Sequence, residues 1–102
     1  MPVSCLEEGN TLTVRITGEV DHHAARKLME EMGRQIDTVL PKEVRLDLGG
    51  VTFMDSSGIA VVLRTWKRMR EVDGTLTLWT VPGCAAKVLR AAGVDKLIPF
   101  TN

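Results

Sequence analysis

Two adjacent hydroxyls, Ser56 and Ser57, follow a carboxylate in the segment Phe53-Met54-Asp55-Ser56-Ser57-Gly58, between an alternating stretch and a helical one. A helix start leaves unpaired backbone N–H groups and the positive end of the helix dipole, and both favour an anion. Three readings of a serine there are open. In the first, Asp55 or Ser56 is the helix N-cap, accepting a backbone N–H and contributing about 1 kcal/mol. In the second, a serine of the first turn accepts a phosphate, gaining about −1.5 to −2 charges at neutral pH. The dipole and free N–H groups would hold that charge, so the fold would survive while a protein–protein contact would not. In the third, the serine is a hydrolase nucleophile. A nucleophile elbow wants glycine two residues before and two after; Gly58 fits Ser56, but Met54 stands where the other glycine should be. No acid is dedicated to His22 or His23 as a base, which makes the third reading the weakest.

A second cluster, Gly18-Glu19-Val20-Asp21-His22-His23, closes one strand and opens the first long helix. Gly18 reads as the strand end and Asp21 as a helix N-cap. Open α/β sheets carry ligands beyond the carboxyl ends of their strands. Both loops belong there, so Glu19, Asp21 and Asp55 are expected around Ser56. The two histidines lack a third ligand at metal-binding spacing, so neither metal nor other cofactor is expected. Arg64, Lys67 and Arg68, with Arg70 nearby, share a polar helix face. Such a run is usually a solvated surface, and its functional alternative is to steer an acidic partner.

The elements that must position these residues are legible in the periodicity. Leu12-Val14-Ile16, Val44-Leu46-Leu48 and Leu76-Leu78 alternate as strands. Ala25, Leu28, Met29, Met32, Ile36 and Val39 have helical spacing up to Pro41, as do Ile59, Val62, Leu63, Trp66 and Met69 up to Asp73-Gly74. A third helix follows Pro82-Gly83, with Ala85, Val88, Leu89 and Ala92 on one face, a left-handed cap at Gly93 and Val94 beyond it. Val3 to Leu6 reads as a first strand turned back at Glu8-Gly9-Asn10, and Leu97 to Phe100 as a last edge strand. Strand–helix–strand repetition requires parallel pairing with right-handed crossovers. A sheet covered on both faces would show continuous apolar runs; here every second residue is polar, so helices should cover one face only. The fold class is therefore α/β: a mostly parallel sheet with an N-terminal hairpin and helices on one side, one domain over residues 1–102.

Composition sets the remaining bounds. The chain has 102 residues, 44% hydrophobic and 25% charged, with no net charge. Neutrality and scarce aromatics argue against nucleic acid, and no apolar run approaches a membrane span. No secretory signal pattern opens the chain, so the expected location is the cytoplasm, with Cys5 and Cys84 reduced, buried and inert.

Taken together, Gly18-Glu19-Val20-Asp21-His22-His23 and Phe53-Met54-Asp55-Ser56-Ser57-Gly58-Ile59 resemble the two signature loops of anti-sigma factor antagonists of the STAS class, the sporulation type above all. The resemblance runs along almost the whole chain. It implies a non-enzymatic regulator that, unphosphorylated, binds a serine-kinase anti-sigma factor and frees its sigma factor. Phosphorylation would end that partnership and a phosphatase would restore it. By position, the phosphate acceptor would be Ser56, flanked by Asp55 and Ser57, with Glu19 and Asp21 facing the kinase. Gly58 of the same loop, and Arg64 and Arg68 from the polar helix face, are expected with them on the partner-binding surface. A non-phosphorylated subunit of a signalling or lipid-transport assembly is the alternative within the same class. The family usually continues into a further helix, where this sequence ends at Phe100-Thr101-Asn102.

Overall fold

The computed structural model describes residues 3–101. Elements follow in the order β1 (Val3–Glu8), β2 (Thr11–Val20), α1 (His22–Val39), β3 (Glu43–Met54), α2 (Ser57–Glu71), β4 (Thr75–Trp79), α3 (Gly83–Ala91), a 3-10 turn (Val94–Lys96) and β5 (Phe100–Thr101). The strands form one sheet in chain order, β1-β2-β3-β4-β5. The β1–β2 hairpin is antiparallel and every later pair is parallel.

Alternation along the strands sorts the two faces as expected. Leu12, Val14, Ile16, Val44, Leu46, Leu48, Leu76 and Leu78 are all buried against the helices. Their neighbours on the other face, such as Arg15 and Arg45, are exposed. All three helices pack on the apolar side, α1 against β2, α2 against β3 and β4, and α3 against β3. The other face holds a polar ladder instead, with Arg15 beside Asp47 at 3.9 Å and the Arg45 guanidinium 5.0 Å from the Trp79 ring centre.

Several expectations need correction. Gly18 does not end its strand: β2 continues to Val20, and Gly18 takes φ +87° next to a register shift against β3. That left-handed backbone suits glycine and lets the strand bulge without stopping. In α2 the buried face carries Val61, Val62, Thr65 and Met69, while Ile59, Leu63 and Trp66 are only half-buried. Thr65 is tolerated inside because its hydroxyl donates to the Val61 carbonyl at 2.9 Å. The last strand begins at Phe100, not Leu97, since the 3-10 turn is what drops Val94 and Ile98 into the core. Gly93 does adopt the left-handed cap conformation, but Ala92 is exposed. Both cysteines are exposed, Cys5 on the edge strand β1 and Cys84 in the first turn of α3. Edge strands and helix starts are only partly covered by the core, so neither thiol is enclosed.

The sheet is uneven, and this shapes the site. β3 pairs with β4 only as far as Asp47 and Trp79. It pairs with β2 much further, to Glu19↔Phe53 and Val20↔Met54. The ends of β2 and β3 therefore run past β4 as a two-stranded ribbon, and both signature loops leave from its tip.

Candidate functional site

Two clasps hold the tip. The backbone N–H of Asp55 donates to the Val20 carbonyl at 3.2 Å, joining the loops directly. Each loop then starts a helix with an aspartate: the Asp21 carboxylate accepts from Ala24 N–H at 2.9 Å, and the Asp55 carboxylate from Ser57 N–H at 2.8 Å. The sequence brings Asp21 and Asp55 to one end of the sheet, as expected, but both are occupied as caps. Glu19 is different, for it is exposed and has no hydrogen bond or ion pair among the described residues.

The two serines are separated by their positions in the turn. Ser56 has helical backbone angles (φ −62°, ψ −17°), is exposed, and makes no capping hydrogen bond with its side chain. Ser57 is half-buried and lines a cleft between α1 and α2 with His22, Arg26, Ala60 and Arg64. The cap is therefore Asp55, and the Ser56 hydroxyl is left uncommitted.

The helix start offers an anion fewer free donors than its sequence suggests. The first N–H groups of α2 are already used: Ser57 by the Asp55 carboxylate, Gly58 by the Asp55 carbonyl at 3.0 Å, and Ile59 by the Ser56 carbonyl at 3.2 Å. The helix dipole and the Ser56 N–H, which has no acceptor among the described residues, favour an anion there, and the Asp55 carboxylate opposes it.

Gly58 is buried and cannot meet a partner as a side-chain contact. Its role is underneath. A Cβ at this position would lie 2.5 Å from Met54 Cγ and 2.6 Å from its Sδ. Glycine allows the first turn of α2 to rest on Met54. Arg68 also differs from expectation, because its guanidinium is bound across the helix pair to Asp37 at 2.7 Å and lies 3.7 Å from Glu71. Arg64 and Lys67 stay exposed beside the cleft.

Periodicity missed Phe53. It is 45% exposed, directly across from Glu19 in register, at the base of the Asp55-Ser56 loop. The signal available was its place one residue before a buried Met54 at a strand end. His22 and His23 stack edge to face, 6.1 Å between ring centres, and neither hydrogen-bonds a serine. Among the described residues no group of three potential ligands could hold a metal ion, and no helix is long and apolar enough to cross a membrane.

The STAS domain family model matches residues 3–102. The anti-sigma F factor antagonist of Paenibacillus polymyxa is 31% identical over 89 residues, covering 87% of this chain and 76% of the relative. The anti-sigma-B factor antagonist of Bacillus subtilis is 26% identical over 99 residues, covering 97% and 89%. Among solved structures, the unphosphorylated anti-sigma factor antagonist SpoIIAA superposes with a TM-score of 0.84 at 23% identity, over 98% of this chain and 88% of that one. SpoIIAA of Bacillus in its phosphorylated form superposes with a TM-score of 0.76 at 23% identity, over 98% and 91%. A five-stranded sheet in chain order with its helices on one face, two loops clasped at its tip, and a family model spanning the described residues lead to one assignment: the chain belongs to the STAS domain family.

Proposed function

We propose that this protein is an anti-sigma factor antagonist, a binding module with no catalytic step of its own, switched by phosphorylation of Ser56. The observation that carries the reading is the state of Ser56: an exposed hydroxyl with no capping bond, on a loop held to β2 by the Asp55 N–H and to α2 by the Asp55 carboxylate. The names of its relatives in Paenibacillus and Bacillus support the coarser function. A fold neighbour known in unphosphorylated and phosphorylated forms supports the switch.

In this reading the partner is a serine-kinase anti-sigma factor. The Ser56 oxygen attacks the γ-phosphorus of ATP, its proton passes to a base of the kinase, and ADP leaves. The product carries about two negative charges beside Asp55. Burying that charge against a partner surface would cost several kcal/mol in desolvation without new cations to meet it. Free protein keeps the charge in water, so binding is lost while the fold remains. A phosphatase reverses the step by hydrolysis of the phosphoserine. Glu19, Asp21 and Asp55 form the acidic side of the docking surface, Ser57 flanks the acceptor, and Arg64 and Lys67 lie on the neighbouring helix face.

Incubation with the kinase-type anti-sigma factor and ATP should add one phosphate, located on Ser56 by intact and fragment mass. Ser56→Ala should stay bound and unmodified, and Ser56→Asp should lose the partner. Tight binding by Ser56→Asp would remove the switch from this account.

A further inference from the structure

The chain has four phenylalanine and tryptophan rings, and three are covered by its own arginines. Arg70 lies 5.0 Å from the centre of Trp66, Arg45 5.0 Å from that of Trp79, and Arg90 5.6 Å from that of Phe100. These are cation–π distances. Phe53 is the remaining ring. It has no cation over it among the described residues, and it is the most exposed of the four. Its register partner on β2 is Glu19, and parallel register partners project from the same face of a sheet. Glu19 is an exposed carboxylate without an ion pair.

The geometry points to a receptor for one arginine of the anti-sigma partner, formed by the Phe53 ring and the Glu19 carboxylate. This rests on the function proposed above and names the chemistry of its contact. A guanidinium is planar, so it can lie flat on the ring while its edge donates to the carboxylate; an ammonium does only one of these well. The position fits an interface anchor: an aromatic side chain, partly exposed in the free protein, on strand backbone three residues before the switch serine. Phe53 and Glu19 lie on the part of β2 and β3 that continues past the end of β4, with both side chains exposed.

The experiment measures binding of the full chain to the kinase-type anti-sigma factor by calorimetry. Phe53→Leu keeps an apolar side chain and removes the π face; it should weaken binding about five- to thirtyfold. Phe53→Trp should bind within about twofold of the original chain, since indole is the better cation–π ring. Glu19→Gln and Phe53→Leu should be non-additive in the double variant, because both act on one cation. Equal losses in Phe53→Leu and Phe53→Trp, no loss in Phe53→Leu, or strictly additive losses would each overturn the inference. Should the original chain bind no kinase-type partner, the proposed function fails, and the receptor is decided separately by NMR. Titration with a tetra-arginine peptide should then shift the Phe53 ring and Glu19 side-chain resonances, and less so in Glu19→Gln. Unmoved Phe53 resonances would overturn it.

Discussion

The carboxylate of Asp55 accepts the Ser57 N–H at 2.8 Å, and that one bond occupies the place a phosphate on Ser56 would want. The neighbouring N–H groups of Gly58 and Ile59 are engaged as well. Phosphorylation therefore brings a new charge to a helix start where the Ser57, Gly58 and Ile59 donors are already engaged. The phosphorylated protein should melt at or slightly below the temperature of the unmodified one, by differential scanning calorimetry. A rise of about 5 °C, equivalent to roughly 1 kcal/mol in a domain of this size, would mean that the phosphate had displaced Asp55 from Ser57.

Gly58→Ala tests the support beneath the serine. The added methyl would meet Met54 Cγ at 2.5 Å, so Met54 must repack or the first turn must lift. A loss of about 1–3 kcal/mol in urea unfolding is expected, as for other overpacked sites. Phosphorylation of Ser56 should slow with it. Unchanged stability would show that Met54 yields freely.

Removing the cap itself should cost less. Asp55→Ala frees the Ser57 N–H and should lower stability by about 0.5–2 kcal/mol, read from the same denaturation curve. Asp21→Ala should behave alike at α1, where the accepted bond is from Ala24.

The arginines of α2 should separate in their effects. Arg68 bridges to Asp37 on α1, so Arg68→Ala should lower the melting temperature slightly and leave partner association nearly unchanged. Arg64, exposed at the cleft, should do the reverse: Arg64→Ala keeps the melting temperature and slows association at low salt, by stopped-flow.

Partial burial, with the Glu31 carboxylate as a lesser cause, pushes the Cys5 thiol up from its ordinary value. The reactive thiolate is thus scarcer than on an unperturbed cysteine. In a Cys84→Ser background, Cys5 should alkylate more slowly than a cysteine in a short peptide at pH 8, with the gap closing as pH rises above the usual thiol range. Equal rates by mass spectrometry would contradict this.

Local patterns determined the scaffold. Alternation in Leu12-Val14-Ile16 and Val44-Leu46-Leu48 names the buried face of a strand, because side chains alternate across a sheet. The polar residues between them announced a second, uncovered face, since burying Arg15 and Arg45 on it would be too costly. The loop Asp55-Ser56-Ser57-Gly58 was visible as a helix start with a hydroxyl near it. Tertiary structure decided the rest. Which side of α2 is buried depends on the joint demands of α1 and the sheet, so Val61 and Thr65 are fully buried while Ile59 and Trp66 pack half-buried at the edge of the core. The turn at Val94–Lys96 sends Ile98 inward for the same kind of reason, and no local period shows it. At the site, composition could offer two serines and several acids but not their assignments. Contacts between distant residues made Asp55 the cap, put Gly58 on Met54, turned Arg68 to Asp37, and left Ser56, Glu19 and Phe53 facing outward. Burial and hydrogen bonding are set by neighbours in space, and those neighbours come from strands and helices far apart in the chain.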